Sequence, residues 1–109
     1  MELYQEIQRL NSLLDKAISE LKDRGRNYAN AYKTYRIKLS KELLRLRDEG
    51  VPVTIAYDIA RGNEEIAEAK ENEIITESLY KSCQEAINVY KLQIKIVQEQ
   101  INREYSNIK

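Results

Sequence analysis

Apolar side chains recur along this chain at an interval of eleven residues. In the second half Ile75, Ala86, Val97 and Ile108 form one such row, Leu79, Tyr90 and Ile101 a second, and Cys83, Ile94 and Tyr105 a third. The first half repeats the pattern with Leu10, Leu21, Tyr32 and Leu43, then Ala17, Tyr28 and Leu39, then Tyr35 and Leu46. Eleven residues in three turns is about 3.67 per turn, close to the straight α-helix. Each half therefore reads as one long helix with a single apolar stripe.

Breakers and caps set the boundaries. The first helix is expected over about 2–48, roughly 70 Å at 1.5 Å per residue. Its one internal breaker is Gly25, and a lone glycine costs only about 1 kcal/mol against alanine, which a buried stripe on either side carries. The corner spans about 49–63. Gly50 is suited to a C-terminal cap and Pro52 cannot continue the helix. Thr54 is then placed to cap a short helix over Ile55 to Arg61, closed by Gly62. Val51, Val53, Ile55 and Ile59 are expected to plug the end of the apolar seam. Asn63 is placed to cap the last helix, over about 64–107, with Glu64 and Glu65 complementing its dipole. Two long helices of matching length joined by a compact corner fold back on each other. The expected fold is all-α: one coiled-coil-like antiparallel helical hairpin with a short helix at its corner.

Charge sharpens this picture. The net charge is zero, with 18 basic and 18 acidic residues, so no global field draws the chain to nucleic acid or an anionic membrane. The charges are nonetheless segregated. Residues 22–47 hold nine Lys/Arg and two Asp/Glu, and residues 48–77 hold two Lys/Arg and nine Asp/Glu. Folding back lays opposite charges along the seam, which sets register more than stability because each exposed pair contributes only a few tenths of a kcal/mol.

Candidate chemistry is sparse. The acidic run from Glu64 to Glu73 invites a metal reading, but the chain has no histidine, so the Glu-x-x-His pattern of di-iron bundles is absent. A solvated edge facing the basic segment is the simpler account. No nucleophile–base pair or Gly-rich phosphate loop is apparent. The expectation is a protein that is not an enzyme, with no cofactor, metal or small-molecule substrate. Cys83, the one cysteine, falls on the stripe and reads as a buried structural thiol. The first residues lack the pattern of a secretory signal, and no stretch approaches the roughly 20 apolar residues of a membrane span. The reading is a soluble, cytoplasmic protein.

Two features point to partners. The segment 24–36 mixes Arg24, Arg26, Lys33 and Arg36 with Tyr28, Tyr32 and Tyr35, a combination able to grip phosphates and stack bases. The tyrosines keep the spacing of the stripe, however, so their rings are expected to face the other helix. A second apolar face is the better lead: Ile74, Val89, Leu92 and Ile96 on the last helix, and Ile37 and Leu44 on the first, lie about 100–160° from their stripes on the helical wheel. Two helices do not cover all of this surface. A second copy, making a four-helix dimer, or a partner protein is expected there. The corner around Tyr57, Asp58 and Arg61 is a further contact candidate.

The corner and its sequel, Glu49-Gly50-Val51-Pro52-Val53-Thr54 and Asp58-Ile59-Ala60-Arg61-Gly62-Asn63-Glu64-Glu65, with the later Leu79-Tyr80-Lys81, Ala86-Ile87 and Tyr90-Lys91, carry a resemblance. Over about residues 28–105 the chain resembles small helical proteins encoded by phages and prophages of Gram-positive bacteria, often among early or DNA-metabolism genes. The resemblance implies an accessory or inhibitory protein in the host cytoplasm, acting by contact on replication, recombination or defence machinery. It transfers no catalytic residues. A nucleic-acid-binding hairpin and a structural spacer or assembly module are the alternative expectations.

Overall fold

The computed structural model describes residues 2–108, and the side chains of 2–107; Ile108, the last member of its row, has its side chain outside the described set. Three helices occur in the order α1 (Glu2–Asp48), α2 (Val53–Arg61) and α3 (Glu64–Ile108), and the described residues include no strand. The chain is an all-α helical hairpin with a short helix at its corner. α1 is unbroken through Gly25.

The turns are built as their residue types require. Gly50 has φ +84° and an added Cβ would meet nothing within 4 Å, so backbone conformation and not space selects glycine here. Its amide donates to the Arg47 carbonyl (3.0 Å) and that of Val51 to Leu46 (3.0 Å), a Schellman closure of α1. Val51 then packs on the core cluster that contains Leu46. Asn63 caps α3: its Oδ1 accepts from the amides of Glu65 (2.9 Å) and Ile66 (3.3 Å).

The start of α2 departs from expectation. The helix begins at Val53, and its cap is Pro52 (φ −57°, ψ 140°), whose carbonyl accepts from Ile55 (3.1 Å) and Ala56 (3.0 Å). Thr54 lies inside the first turn and caps nothing. The expected plug is also overturned. Val53 is 84% exposed, and Ile55 and Ile59 are exposed as well; the corner instead buries Ala56 and Ala60, the latter fully. Small side chains one turn apart let the backbone of α2 come close to the long helices, whereas bulky ones would hold it off. Of the four residues named for the plug, only Val51 packs inward.

Contacts within the hairpin gather into two compact units. Unit 2, residues 24–79, holds the corner: Tyr35, Leu39, Leu46, Ala56, Ala60, Ile66 and Ala69 form its core. In unit 1, residues 1–23 with 80–109, Ala17, Cys83 and Ile87 pack with Leu14, Leu21 and Tyr90, and Leu10 is 1% exposed. The Cys83 thiol donates to the Ala17 carbonyl oxygen (3.2 Å), tying α3 to α1 inside this unit.

The inward residues of α3 follow seven residues, not eleven. In unit 2 they are Ile66, Ala69, Glu73 and Thr76; in unit 1 they are Tyr80, Cys83, Ile87, Tyr90, Ile94, Val97 and Ile101. Steps of three and four alternate throughout, which is 3.5 residues per turn, the spacing that keeps one seam on a partner helix. Ile75, Leu79 and Tyr105, members of the eleven-residue rows, are exposed. Those rows run diagonally: Ile75, Ala86 and Val97 step from the outer face of α3 onto the seam. On α1 the longer interval does mark inward positions, with Ala17, Tyr28 and Leu39 and again Tyr35 and Leu46 buried or half-buried. Tyr32 is the exception, turned outward while Ala31 takes the inward place.

These caps make distinct predictions for melting experiments. Asn63→Ala is expected to cost about 1 kcal/mol, as loss of a side-chain cap does. Thr54→Ala should stay within about 0.5 kcal/mol of the parent, like other exposed substitutions.

Candidate functional site

The seam of unit 2 carries a polar layer. Glu73 is buried at an inward position of α3, where the acidic run was expected to be a solvated edge. Lys70, one turn earlier, reaches its carboxylate at 3.2 Å and holds its ammonium 4.8 Å from the centre of the Tyr35 ring. Burial, and then a hydrogen bond with Tyr57 of α2, raise the Tyr35 phenol above its ordinary range. One layer away the Tyr28 hydroxyl donates to Glu77 Oε2 at 2.6 Å. Thr76, also inward, satisfies its hydroxyl on the carbonyls of Asn72 (2.8 Å) and Glu73 (3.0 Å). Among the described residues no buried side-chain nitrogen or oxygen lacks a partner.

α2 lies over this layer and places the corner candidates. Tyr57 is half turned to solvent, with the Arg61 guanidinium 5.6 Å from its ring centre. Tyr35, Tyr57, Arg61, Lys70, Ile74 and their neighbours line an open groove of about 550 Å³. Asp58 is exposed beside it. The groove offers two cations on aromatic faces and an aliphatic wall, which suits weak contact with a mixed polar and apolar surface. Among the described residues no group of three or more Cys, Asp or Glu is arranged to hold a metal ion.

The six apolar candidates are all exposed, and they divide between the two units. Ile74 belongs to the corner groove of unit 2. Ile37 lies on the outer side of α1, and Leu44 there borders a second depression with Leu43, Arg47, Val51 and Val53. Val89, Leu92 and Ile96 lie on the outer side of α3 in unit 1. The sequence pattern missed Ile75 and Leu79 as exposed residues, because the eleven-residue rows assigned them to the core. It also missed the buried Glu73 and the half-buried Glu77. The signal was present: both fall on or next to the seven-residue row through Ile66, Tyr80 and Ile87.

The basic candidates separate as well. Arg24 is half-buried and engaged with a neighbour, whereas Arg26, two residues on and so about 200° around the helix, is exposed. Lys33 is exposed, and Arg36 stacks over the outward Tyr32 ring at 6.0 Å. An ion pair between α1 and α3, Lys38 with Glu65 at 3.6 Å, shows the expected crossing of opposite charges. Arg45 pairs locally, with Glu42 and with Glu49.

No family model, curated protein or solved structure matches the chain. Among the described residues no helix is long and apolar enough to cross a membrane. The functional reading therefore rests on the surfaces themselves.

The polar layer has a spectroscopic signature. Donation to Glu77, helped by burial, pushes the Tyr28 phenol up to about 12. Its folded value lies above its unfolded one near 10, so the contribution to stability is complete below about pH 10 and is lost as pH rises through about 12. Alkaline titration of tyrosinate absorbance should show a late-ionising group that is missing from Tyr28→Phe.

Proposed function

We propose that this chain is a non-enzymatic helical interaction protein that acts by contact and associates with itself. The observation that carries the reading is the outer side of α3 in unit 1, where Val89, Leu92 and Ile96 stand 41%, 58% and 46% exposed on one stretch of helix. Single exposed aliphatics are ordinary on a protein surface; a run of large ones along one helical face is what a partner helix covers. The resemblance to phage and prophage proteins fits a role as an accessory or inhibitor working in the host cytoplasm on nucleic-acid-processing or defence machinery. The corner, with Tyr57, Asp58 and Arg61 beside exposed Val53, Ile55 and Ile59, is the second contact surface in this reading.

A nucleic-acid-binding hairpin is the alternative, favoured by the exposure of Arg26, Lys33 and Arg36 on α1. The inward turn of Arg24 and Tyr35 weakens it, since both leave the basic aromatic face. A structural assembly module is the remaining alternative, distinguished by species that keep growing with concentration.

Two measurements separate these readings. Fluorescence anisotropy of labelled single- and double-stranded DNA should stay flat at about 50 mM salt. Saturable binding that falls steeply toward about 200 mM would put the nucleic-acid reading first, because phosphate contacts release counterions. Leu92→Lys with Ile96→Lys should reduce the solution mass to that of one chain, 12.8 kDa, with helicity retained. An unchanged mass overturns the assignment of that face.

A further inference from the structure

Beside the seam of α3 in unit 1 runs a second row of the same kind. Ser82, Ala86, Val89, Gln93, Ile96 and Gln100 follow alternating steps of four and three, and none carries a charge. Ala86 is half-buried and the other five are exposed. Its apolar members Ala86, Val89 and Ile96 keep the spacing of a helix-packing seam, with polar Ser82, Gln93 and Gln100 at the remaining places, yet no helix of unit 1 covers it. The outer side of α1 in unit 2 carries a counterpart. Asn30, Thr34, Ile37, Lys41 and Leu44 follow the same steps, all five are exposed, and Lys41 alone among them is charged.

The rims of these two rows have opposite charge. Glu85 and Glu99 flank the row on α3, fourteen residues apart; Lys33 and Arg47 flank the row on α1, also fourteen apart. Equivalent rim positions oppose each other when two such helices pack antiparallel. A single register therefore sets Lys33 against Glu99 and Arg47 against Glu85 together. The same register lays Leu92 over Ser40 midway between them, Leu44 over Ala86, Thr34 over Ile96 and Ile37 over Gln93. It runs the Lys41 stem across Val89, with the ammonium left to reach water. It also brings the Asn30 amide to that of Gln100, so the polar ends of the two rows meet each other. Among the described residues none of the four charged rim side chains makes an ion pair. All four are exposed and open to a neighbouring molecule.

We propose that the occupant of the outer α3 row is a second copy of this chain, whose α1 row in unit 2 packs antiparallel against α3 of unit 1. This rests on the contact reading above and makes it specific. The contact is between two different surfaces, so a pair of copies leaves one acidic-rimmed and one basic-rimmed row open. Further copies add unless a ring closes. The charge reversals, not growth with concentration alone, therefore test this contact. Charge complementarity at matched spacing selects this pairing over α3 against α3, where acidic rims would meet.

Sedimentation velocity at about 50 mM salt tests the pairing, with circular dichroism confirming that each variant stays helical. The parent chain should sediment as more than one copy. Lys33→Glu with Arg47→Glu, and separately Glu85→Lys with Glu99→Lys, should each weaken association about tenfold or more, since like charges then face each other. An equimolar mixture of the two variants should associate again, and so should the chain bearing all four reversals. Failure of the mixture to recover, or indifference of both variants, overturns the pairing. If the parent's association is lost in the Leu92→Lys, Ile96→Lys protein yet ignores the charge reversals, the contact reading stands and this register falls. A parent that sediments as one chain at every concentration overturns both.

Discussion

A helix in a two-helix pair buries one narrow stripe, and that limit governs this molecule. Every residue beyond the stripe faces water unless a third element covers it. In unit 2 the third element is α2, which reaches the core through Ala56 and Ala60. The rest of the apolar surface on the long helices has no such cover. Large aliphatics at Ile37, Leu44, Val89, Leu92 and Ile96 are thus a direct result of putting more than one apolar row on a helix that has only one internal neighbour.

The composition of the seam follows the same limit. A stripe built wholly of leucine would leave register and partner choice weakly specified. Here the seam of unit 2 carries Glu73 and Thr76 with Tyr28 and Tyr35. Buried polar groups add little net stability but penalise every arrangement that leaves them unpaired. Glu77 beneath the Tyr28 hydroxyl and Tyr57 against Tyr35 join different helices and meet that condition in one alignment, whereas Lys70 beside Glu73 lies within α3 and pairs in any. The corner helix is therefore part of what fixes register, because Tyr57 comes from α2.

The elements that backbone chemistry dictates were legible in the sequence. Gly50 at positive φ and the Asn63 cap could be read residue by residue, because a turn needs a particular backbone and few residues supply it. Helix class and length followed from periodicity. What stayed hidden depended on which of two adjacent rows faces inward. An eleven-residue step crosses from one row to the other, so Ile75 and Leu79 looked like core and Glu73 looked like surface. Near Pro52 the misreading was local: a threonine at a plausible cap position is outcompeted by a proline whose carbonyl already points at the first free amides. The choice of Ala56 and Ala60 over their larger neighbours came from how closely α2 approaches, which no single-helix pattern encodes. The outer surfaces were legible as a set of residues but not as a grouping. Ile74 shares a helical-wheel sector with Val89, Leu92 and Ile96, yet it lies in the groove of another unit.

The Cys83 thiol, closed over by unit 1 and bonded to the Ala17 carbonyl, has a practical consequence. An alkylating reagent reaches a sealed sulfur only while its surroundings are transiently apart. Under conditions where reclosing outpaces reaction, the labelling rate measures the free energy of that opening. The chain thus contains its own clock for the breathing of unit 1, while the tyrosine layer reports on unit 2.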